Sequence, residues 1–174
     1  ILRYRRLNSM YAVTPHDVMD RYLAVYGEES LFPVVRTEIG VLAAVASEEI
    51  LFPEVARCLA MRGAEVILHS SSEISSALQS PKNVAKLARA VENGVYVVSA
   101  NTAGLHGTGL PPLSGDGGSK IVDHRGLVLA AAAQGESMAA NAEIDLGALR
   151  RFRSRPAQDN LLARQRFELY ARSY

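Results

Sequence analysis

The sequence has little cysteine and little lysine, and it lacks a long apolar run. Its single cysteine, Cys58, excludes an intrachain disulfide and a metal site built from several cysteines. One cysteine suits a reducing environment, so we predict a cytoplasmic location. An uninterrupted stretch of about 18 apolar residues is missing, and no signal-peptide pattern follows the first arginines, so we predict no membrane partner.

The charged residues are nearly balanced, with a formal net charge of +1, and the three lysines are Lys82, Lys86 and Lys120. This balance favours neither a nucleic acid nor a membrane surface as a partner. With 174 residues, the chain is long enough for one domain with a substantial core.

Residue patterns for metals and cofactors are also missing. His69, His106 and His124 do not have the spacing of metal ligands, so we predict no metal. The glycine-rich segment 104–118 contains no GxxxxGK pattern, and nothing else indicates a cofactor.

Apolar runs alternate with helical patterns in an order typical of an α/β protein with helices packed on a sheet. Segments 38–46, 65–69 and 95–100 are predicted as buried strands, and two strands at 119–123 and 127–132 as a hairpin. Further strands are predicted at 1–7 and 139–146, and a polar surface loop at 70–82. Helices are predicted to begin at Thr14-Pro15 and at Pro53 and to cover 84–93 and 159–171, with Leu87, Ala88 and Val91 facing inward.

Polar residues follow three of the predicted strands. Ser47 follows the first, residues 70–72 the second, and Asn101 the third. Because ligands of such folds bind at the carboxyl ends of the strands, this edge is the predicted site.

Four segments resemble motifs of one enzyme family. Residues 40–54 (GVLAAVASEEILFPE) are similar to a nucleophile motif, and residues 88–101 (ARAVENGVYVVSAN) to the following strand signature. Residues 117–126 resemble a G-x-S-x-I hairpin, and 142–146 (AEIDL) a closing strand. In this order and spacing, the segments resemble the nitrilase superfamily of carbon–nitrogen hydrolases.

The resemblance implies a four-layer α-β-β-α sandwich. We expect residues 1–174 to be a partial carbon–nitrogen hydrolase domain that lacks its amino-terminal segment. Its exposed sheet edges would then need that segment or a partner, and the resemblance implies a homo-oligomer.

The resemblance also implies a chemistry, which two substitutions alter. The family cleaves amides, nitriles or carbamoyl groups with a cysteine nucleophile, a lysine that stabilises the oxyanion and a glutamate base. Ser47 stands at the cysteine position and Arg6 at the lysine position, and the base would precede Arg6. The alternatives are that Ser47 is a strand-end residue satisfied by local hydrogen bonds and that Arg6 is a solvated surface arginine.

The neighbouring motif positions are assigned supporting roles by the resemblance. The backbone N–H of Glu48 is the expected oxyanion donor, and Glu49, Glu54 and Asn101 are expected to support the site. Cys58 lies inside the predicted helix as a small core residue. No residue aligns cleanly with the family's second glutamate, and the candidates are Asp17, Asp20, Glu28 and Glu29.

Three functions remain open at this point. The first is a hydrolase relative of impaired activity, a pseudoenzyme that has lost efficient amide or nitrile cleavage. The second is a hydrolase that uses Ser47 as its nucleophile, with Arg6 supporting the oxyanion. The third is a non-enzymatic oligomer subunit or a module that binds a small molecule.

Overall fold

The structure is a computed structural model of the chain. It describes residues 2–73, 80–111, 115–135 and 137–174. The strands are β1 (Val35–Thr37), β2 (Gly40–Ala46), β3 (Val66–Ser71), β4 (Tyr96–Asn101), β5 (Lys120–Val122) and β6 (Val128–Ala131). The α-helices are α1 (Met19–Tyr26), α2 (Pro53–Met61), α3 (Pro81–Asn93), α4 (Leu146–Arg153) and α5 (Phe167–Tyr170). Short 3-10 helices cover Pro15–Val18, Glu28–Ser30, Ser47–Leu51 and Leu162–Arg164.

The strands form one sheet in sequence order, from β1 to β6. The central strands β2, β3 and β4 are parallel, and β1, β5 and β6 each run antiparallel to their neighbours. Because parallel neighbours need crossover connections, α2 and α3 link the three central strands. Ala46 pairs with Ser70, and Ser70 pairs with Ala100, so the carboxyl ends of these strands meet at one edge.

The main core lies between the sheet and the pair of helices α2 and α3. Side chains alternate along each strand, so Val45, Ile67 and Val97 all face these helices. Leu59 of α2 is fully buried against them, and burying one such side chain contributes about 1.5–3 kcal/mol. The predicted α/β layout is therefore confirmed, with one helix layer packed on one sheet.

The opposite face of the sheet is only partly covered. Leu149 of α4 packs against Val66 and Tyr96 near the amino ends of the strands. Farther along β3 on the same face, Leu68 is 41% exposed. The described residues thus supply one helix layer and one sheet of the four layers that the family resemblance implies.

One predicted helix start and one predicted hairpin turn have the expected geometry. Thr14 and Asp17 form a reciprocal capping box before the helical turn that leads into α1. In the hairpin between β5 and β6, the Asp123 carboxylate accepts from the N–H groups of Arg125 (2.9 Å) and Leu127 (2.8 Å). Gly126 has φ +84°, and a Cβ there would meet Val91 at 2.5 Å, which explains why glycine closes this turn.

Three of the predicted elements were wrong. Residues 2–7 are not a strand, and residues 139–145 belong to neither a strand nor a helix. Helix α4 begins at Leu146 because the Asp145 side chain accepts from the N–H of Ala148 at 2.8 Å. The long helix predicted at 159–171 is instead two short helical turns.

Buried Asn160 explains the loss of that last helix. Its amide nitrogen donates to the carbonyl oxygens of Phe152 (3.4 Å), Arg153 (3.2 Å) and Arg155 (2.9 Å), at the end of α4. Its amide oxygen accepts from the N–H of Ala163 at 3.2 Å. These bonds make residue 160 the cap of the preceding helix, so the chain turns where a continuous helix was expected.

Helix α3 was predicted at nearly the right place, but its inner face was predicted only in part. It begins at Pro81 instead of residue 84 because Ser80 caps it, accepting from the N–H of Asn83 at 3.2 Å. Its buried residues are Ala85, Lys86, Arg89, Ala90 and Asn93. Of the residues expected to face inward, Leu87 is half-buried and packs against the main core, and Ala88 and Val91 are half-buried. Of the surface loop predicted at 70–82, residues 74–79 lie outside the described part of the chain.

Candidate active site

Ser47 occupies a sharp strand-to-helix turn at the carboxyl end of β2. It follows Ala46 directly and begins the 3-10 helix Ser47–Leu51, which leads into α2. Its φ is +53°, and among the described residues it is the one non-glycine with positive φ. Such a conformation costs on the order of 1–3 kcal/mol and is concentrated at functional sites.

Buried His69 of β3 holds the backbone of this turn. Its Nε2 lies 2.9 Å from the carbonyl oxygen of Ser47, and its Nδ1 lies 2.9 Å from the hydroxyl of Ser99 on β4. Burial lowers the pKa of His69 to about 4, so the ring is neutral at neutral pH. Sequence analysis considered this histidine only as a metal ligand. The alternation within strand EVILH, which places residues 67 and 69 on one face, is the signal that could have assigned it to the helix side.

Arg89 of α3 anchors the other end of the same turn. Its guanidinium donates to the carbonyl oxygens of Ile50 and Leu51, both at 3.0 Å. It also pairs with Glu92 at 2.6 Å. The turn is therefore held at its first residue by β3 and at its last residues by α3.

Glu49 is fully buried and ties the first residues of the chain to the turn. Its carboxylate accepts from the hydroxyl of Tyr4 (2.8 Å) and from the N–H groups of Leu7 (2.6 Å) and Asn8 (2.9 Å). Burial, together with the adjacent negative charge of Glu49, raises the pKa of the Tyr4 hydroxyl. Glu49 therefore fixes the segment that contains Arg6.

Arg6 lies against the turn because of this tether. Its guanidinium forms an ion pair with Glu48, and its Nε donates to the carbonyl oxygen of Asn8 at 2.8 Å. The side chains of Arg6 and Glu48 are 33% and 28% exposed. The structure thus brings Arg6 and Ser47 to neighbouring parts of one edge.

A groove of about 860 Å³ runs beside the turn. Its walls are largely apolar and include Leu7, Met19, Leu31, Phe32, Leu51 and Phe52, with Asn8, Thr14 and Glu48 among the polar residues. Glu48 therefore contributes both to the Arg6 ion pair and to the wall of the groove.

Asn101 lies at the same sheet edge, where its side chain forms hydrogen bonds with residues that follow β3 and precede β5. Its amide nitrogen donates to Asp116 and to the carbonyl oxygen of Gly117 (2.8 Å), and its amide oxygen accepts from the N–H of Glu73 (2.8 Å). Its backbone N–H donates to the Ser119 hydroxyl at 3.0 Å. Any contact of Asn101 with a substrate stays a prediction.

A buried ion pair that sequence analysis missed lies near this edge. Lys86 of α3 contacts Glu73 at 2.9 Å, and their side chains are 1% and 3% exposed. Burial opposes ionisation of Glu73, but the hydrogen bond and charge of Lys86 produce a net lowering of the pKa of the Glu73 carboxyl. Half-buried Lys120 has a lowered pKa because of burial and the nearby charge of Lys86. The apolar residues around Lys86 in the sequence gave no sign that the lysine itself is buried.

Glu54 and Cys58 lie on α2, away from the groove described above. Glu54 accepts from the Tyr174 hydroxyl at 3.1 Å, and both residues line a second groove of about 820 Å³ with Cys58. Cys58 is half-buried, and burial raises the pKa of its thiol, which does not favour a reactive thiolate. The predicted supporting role of Glu54 stays untested. Within the described ranges, no three His, Cys, Asp or Glu residues cluster so as to hold a metal ion.

The comparison with known families decides the affiliation. A family model for carbon–nitrogen hydrolases matches residues 1–154. The chain belongs to the carbon–nitrogen hydrolase family. The resemblance seen in the sequence is thereby confirmed.

Individual carbon–nitrogen hydrolases are similar to this chain over most of its length. The deaminated glutathione amidase of Homo sapiens is 33% identical over 124 residues, which are 71% of this chain and 37% of the human protein. The NitFhit protein of C. elegans has a TM-score of 0.68 at 30% identity, covering 79% of this chain and 32% of that chain. An amidase from Nesterenkonia sp. has a TM-score of 0.61 at 26% identity, covering 82% of this chain and 47% of that chain.

These similarities confirm the fold and leave the assigned roles as predictions. The chain spans 37% of the human relative's length. The catalytic roles of Ser47 and Arg6, and the oxyanion role of Glu48, therefore belong to the proposal below. Across the described ranges, every helix is too short or too polar to cross a membrane.

Proposed function

We propose that this carbon–nitrogen hydrolase binds small amides, nitriles or carbamoyl compounds beside the Ser47 turn and cleaves them poorly. The observation that carries the proposal is the positive φ of Ser47 at the end of β2. A serine kept in this strained conformation is consistent with a nucleophile turn that persists after the thiol has been replaced.

Impaired cleavage follows from the chemistry around Ser47. A serine hydroxyl is much harder to deprotonate than a thiol, so it needs a well-placed base. Both ring nitrogens of His69 are engaged, one with the Ser47 backbone and one with Ser99, so neither is directed at the Ser47 hydroxyl as a base. Glu49 is occupied by three hydrogen bonds, and Glu48 by Arg6. A base would have to come from elsewhere.

Recognition of a small uncharged substrate is supported by the groove beside Glu48. Its apolar walls and few polar groups are typical of a small-molecule site. Similarity to amidases extends this proposal to amide substrates. In the proposed site, the Glu48 N–H stabilises the developing oxyanion, and Arg6 adds positive charge nearby.

The experiment measures turnover of a panel of small amides and nitriles by the protein that contains this chain. We expect the native protein to show almost no turnover and the double variant Ser47→Cys with Arg6→Lys to gain activity. Ser47→Ala with Arg6→Lys is the matched control, since it lacks a nucleophile. Efficient turnover by the native protein would overturn the impaired-hydrolase proposal.

A second candidate is a hydrolase that uses Ser47 itself. The strained backbone favours it, because strain without a function is costly to retain. Its test is Ser47→Ala in the native background, which must abolish any turnover that the native protein shows. If neither the native protein nor the double variant shows turnover, the result favours the non-enzymatic role, a binding module or oligomer subunit.

The homo-oligomeric state and the cytoplasmic location stay proposals. Light scattering at micromolar concentration tests the first, and microscopy of the tagged protein tests the second.

A further inference from the structure

The direction of the His69 bond follows from its acceptor. A backbone carbonyl oxygen has no proton, so Nε2 of His69 must donate to Ser47. In a neutral ring the other nitrogen is then an acceptor, and Nδ1 accepts a hydrogen bond from the Ser99 hydroxyl. His69 and Ser99 are 2% and 3% exposed, so no substrate reaches them.

This bond fixes more than the carbonyl group. The Ser47 carbonyl and the Glu48 N–H belong to one planar trans peptide unit, in which they point in opposite directions. Holding the oxygen towards β3 therefore directs the N–H away from the core. At the start of a 3-10 helix, that N–H has no partner within the helix and can donate to a ligand.

We propose that His69, backed by Ser99, is a positioning residue that locks the Ser47–Glu48 peptide so that the Glu48 N–H faces the reacting carbonyl or nitrile group. The inference rests on the proposed function, since it says which residue holds the proposed oxyanion donor, the Glu48 N–H, in place. Hydrogen bonding at the carbonyl also polarises the peptide and strengthens its N–H as a donor. His69 acts through the backbone and touches no reacting atom.

The first test is spectroscopic and needs no turnover. In the protein containing this chain, imidazole nitrogen resonances must show a neutral His69 with its proton on Nε2. His69→Leu must shift the Glu48 amide nitrogen resonance, and His69→Gln, which keeps an N–H donor, must restore it in part. Val122→Ala, a buried change away from the turn, is the matched control. A proton on Nδ1, or an unshifted Glu48 resonance, overturns the inference and leaves the proposed function intact.

The second test is kinetic and uses the Ser47→Cys, Arg6→Lys background. We expect His69→Leu to lower kcat by roughly tenfold to a hundredfold, with KM nearly unchanged, because a small misplacement of an oxyanion donor is costly. His69→Gln must recover part of kcat, and Val122→Ala must not reproduce the loss. If His69→Leu leaves kcat the same as in the Ser47→Cys, Arg6→Lys background, the inference is overturned. If the Ser47→Cys, Arg6→Lys background shows no turnover, the proposed function fails. The amide nitrogen resonance of Glu48 then still decides whether His69 locks the peptide.

Discussion

The buried carboxylate of Glu49 offers a sharp test of how the site is assembled. It accepts three hydrogen bonds from the segment that contains Arg6. Each hydrogen bond to a charged group contributes about 1.5–3 kcal/mol, and bonds that share one partner do not sum fully. We therefore expect Glu49→Ala to lower the free energy of unfolding by about 4 kcal/mol.

Graded variants separate the tether from a general loss of packing. Glu49→Gln keeps the size but removes the charge, so we expect a loss of about 2 kcal/mol. Tyr4→Phe removes one of the three bonds and should cost about 1.5 kcal/mol. Exposed Glu29, which pairs with Arg62 at the surface, provides the matched control: Glu29→Gln should change stability by less than about 1 kcal/mol.

Urea denaturation measures these free energies, and limited trypsin digestion measures release of the segment. Arg3, Arg5 and Arg6 are tryptic sites that should become accessible in Glu49→Ala before the rest of the fold is cleaved. If Glu49→Gln and Glu49→Ala unfold at the same urea concentration as the parent and resist trypsin equally, the tether does not exist.

Three further predictions concern other buried or strained groups. Lys86→Met should lower the free energy of unfolding by about 3–5 kcal/mol because it leaves the Glu73 carboxylate buried without its partner. Adding Glu73→Gln should recover part of this loss, as measured by urea denaturation. If the double variant recovers nothing, the reasoning is contradicted. Buried Glu65 accepts two bonds from Arg150, at 2.6 and 3.0 Å, which lower the pKa of the Glu65 carboxyl. The stabilisation that ionised Glu65 provides is therefore present above its unfolded pKa, near 4.5, and is lost as pH falls through the lower folded pKa. Arg150→Met should destabilise the protein at neutral pH and have little effect on its stability in strong acid. An equal loss of stability at both pH values would refute this. Ser47→Gly should raise the free energy of unfolding by about 1 kcal/mol because glycine adopts positive φ without strain, whereas Ser47→Ala should not; calorimetry distinguishes the two.

Elements with local signals were predictable from the sequence. Strand β2 is a long apolar run, and Pro53 marks the start of α2. The motif of residues 40–54 pointed to Ser47, and the structure places it at a turn of unusual backbone geometry. These features depend on neighbouring residues, which is why they can be read from the chain alone.

Features that depend on distant partners were not predictable. The helix expected at 159–171 was lost because Asn160 bonds to the end of α4. The inner face of α3 was assigned only in part, because the buried positions of Lys86 and Arg89 depend on their contacts with Glu73 and with the carbonyl oxygen of Ile50. A charged side chain is expected to face solvent unless a buried partner exists, and sequence periodicity cannot reveal that partner.

The sequence by itself determined the family, the order of the central elements and the position of the turn at Ser47, because motif spacing and apolar periodicity are local properties of the chain. Tertiary structure alone decided that His69 holds the carbonyl of Ser47, that Glu49 draws Arg6 to the turn, and that Glu48 pairs with Arg6. The physical reason is that these contacts require the parallel register of β2, β3 and β4 and the return of the first residues to that edge, and both arise only when the chain packs.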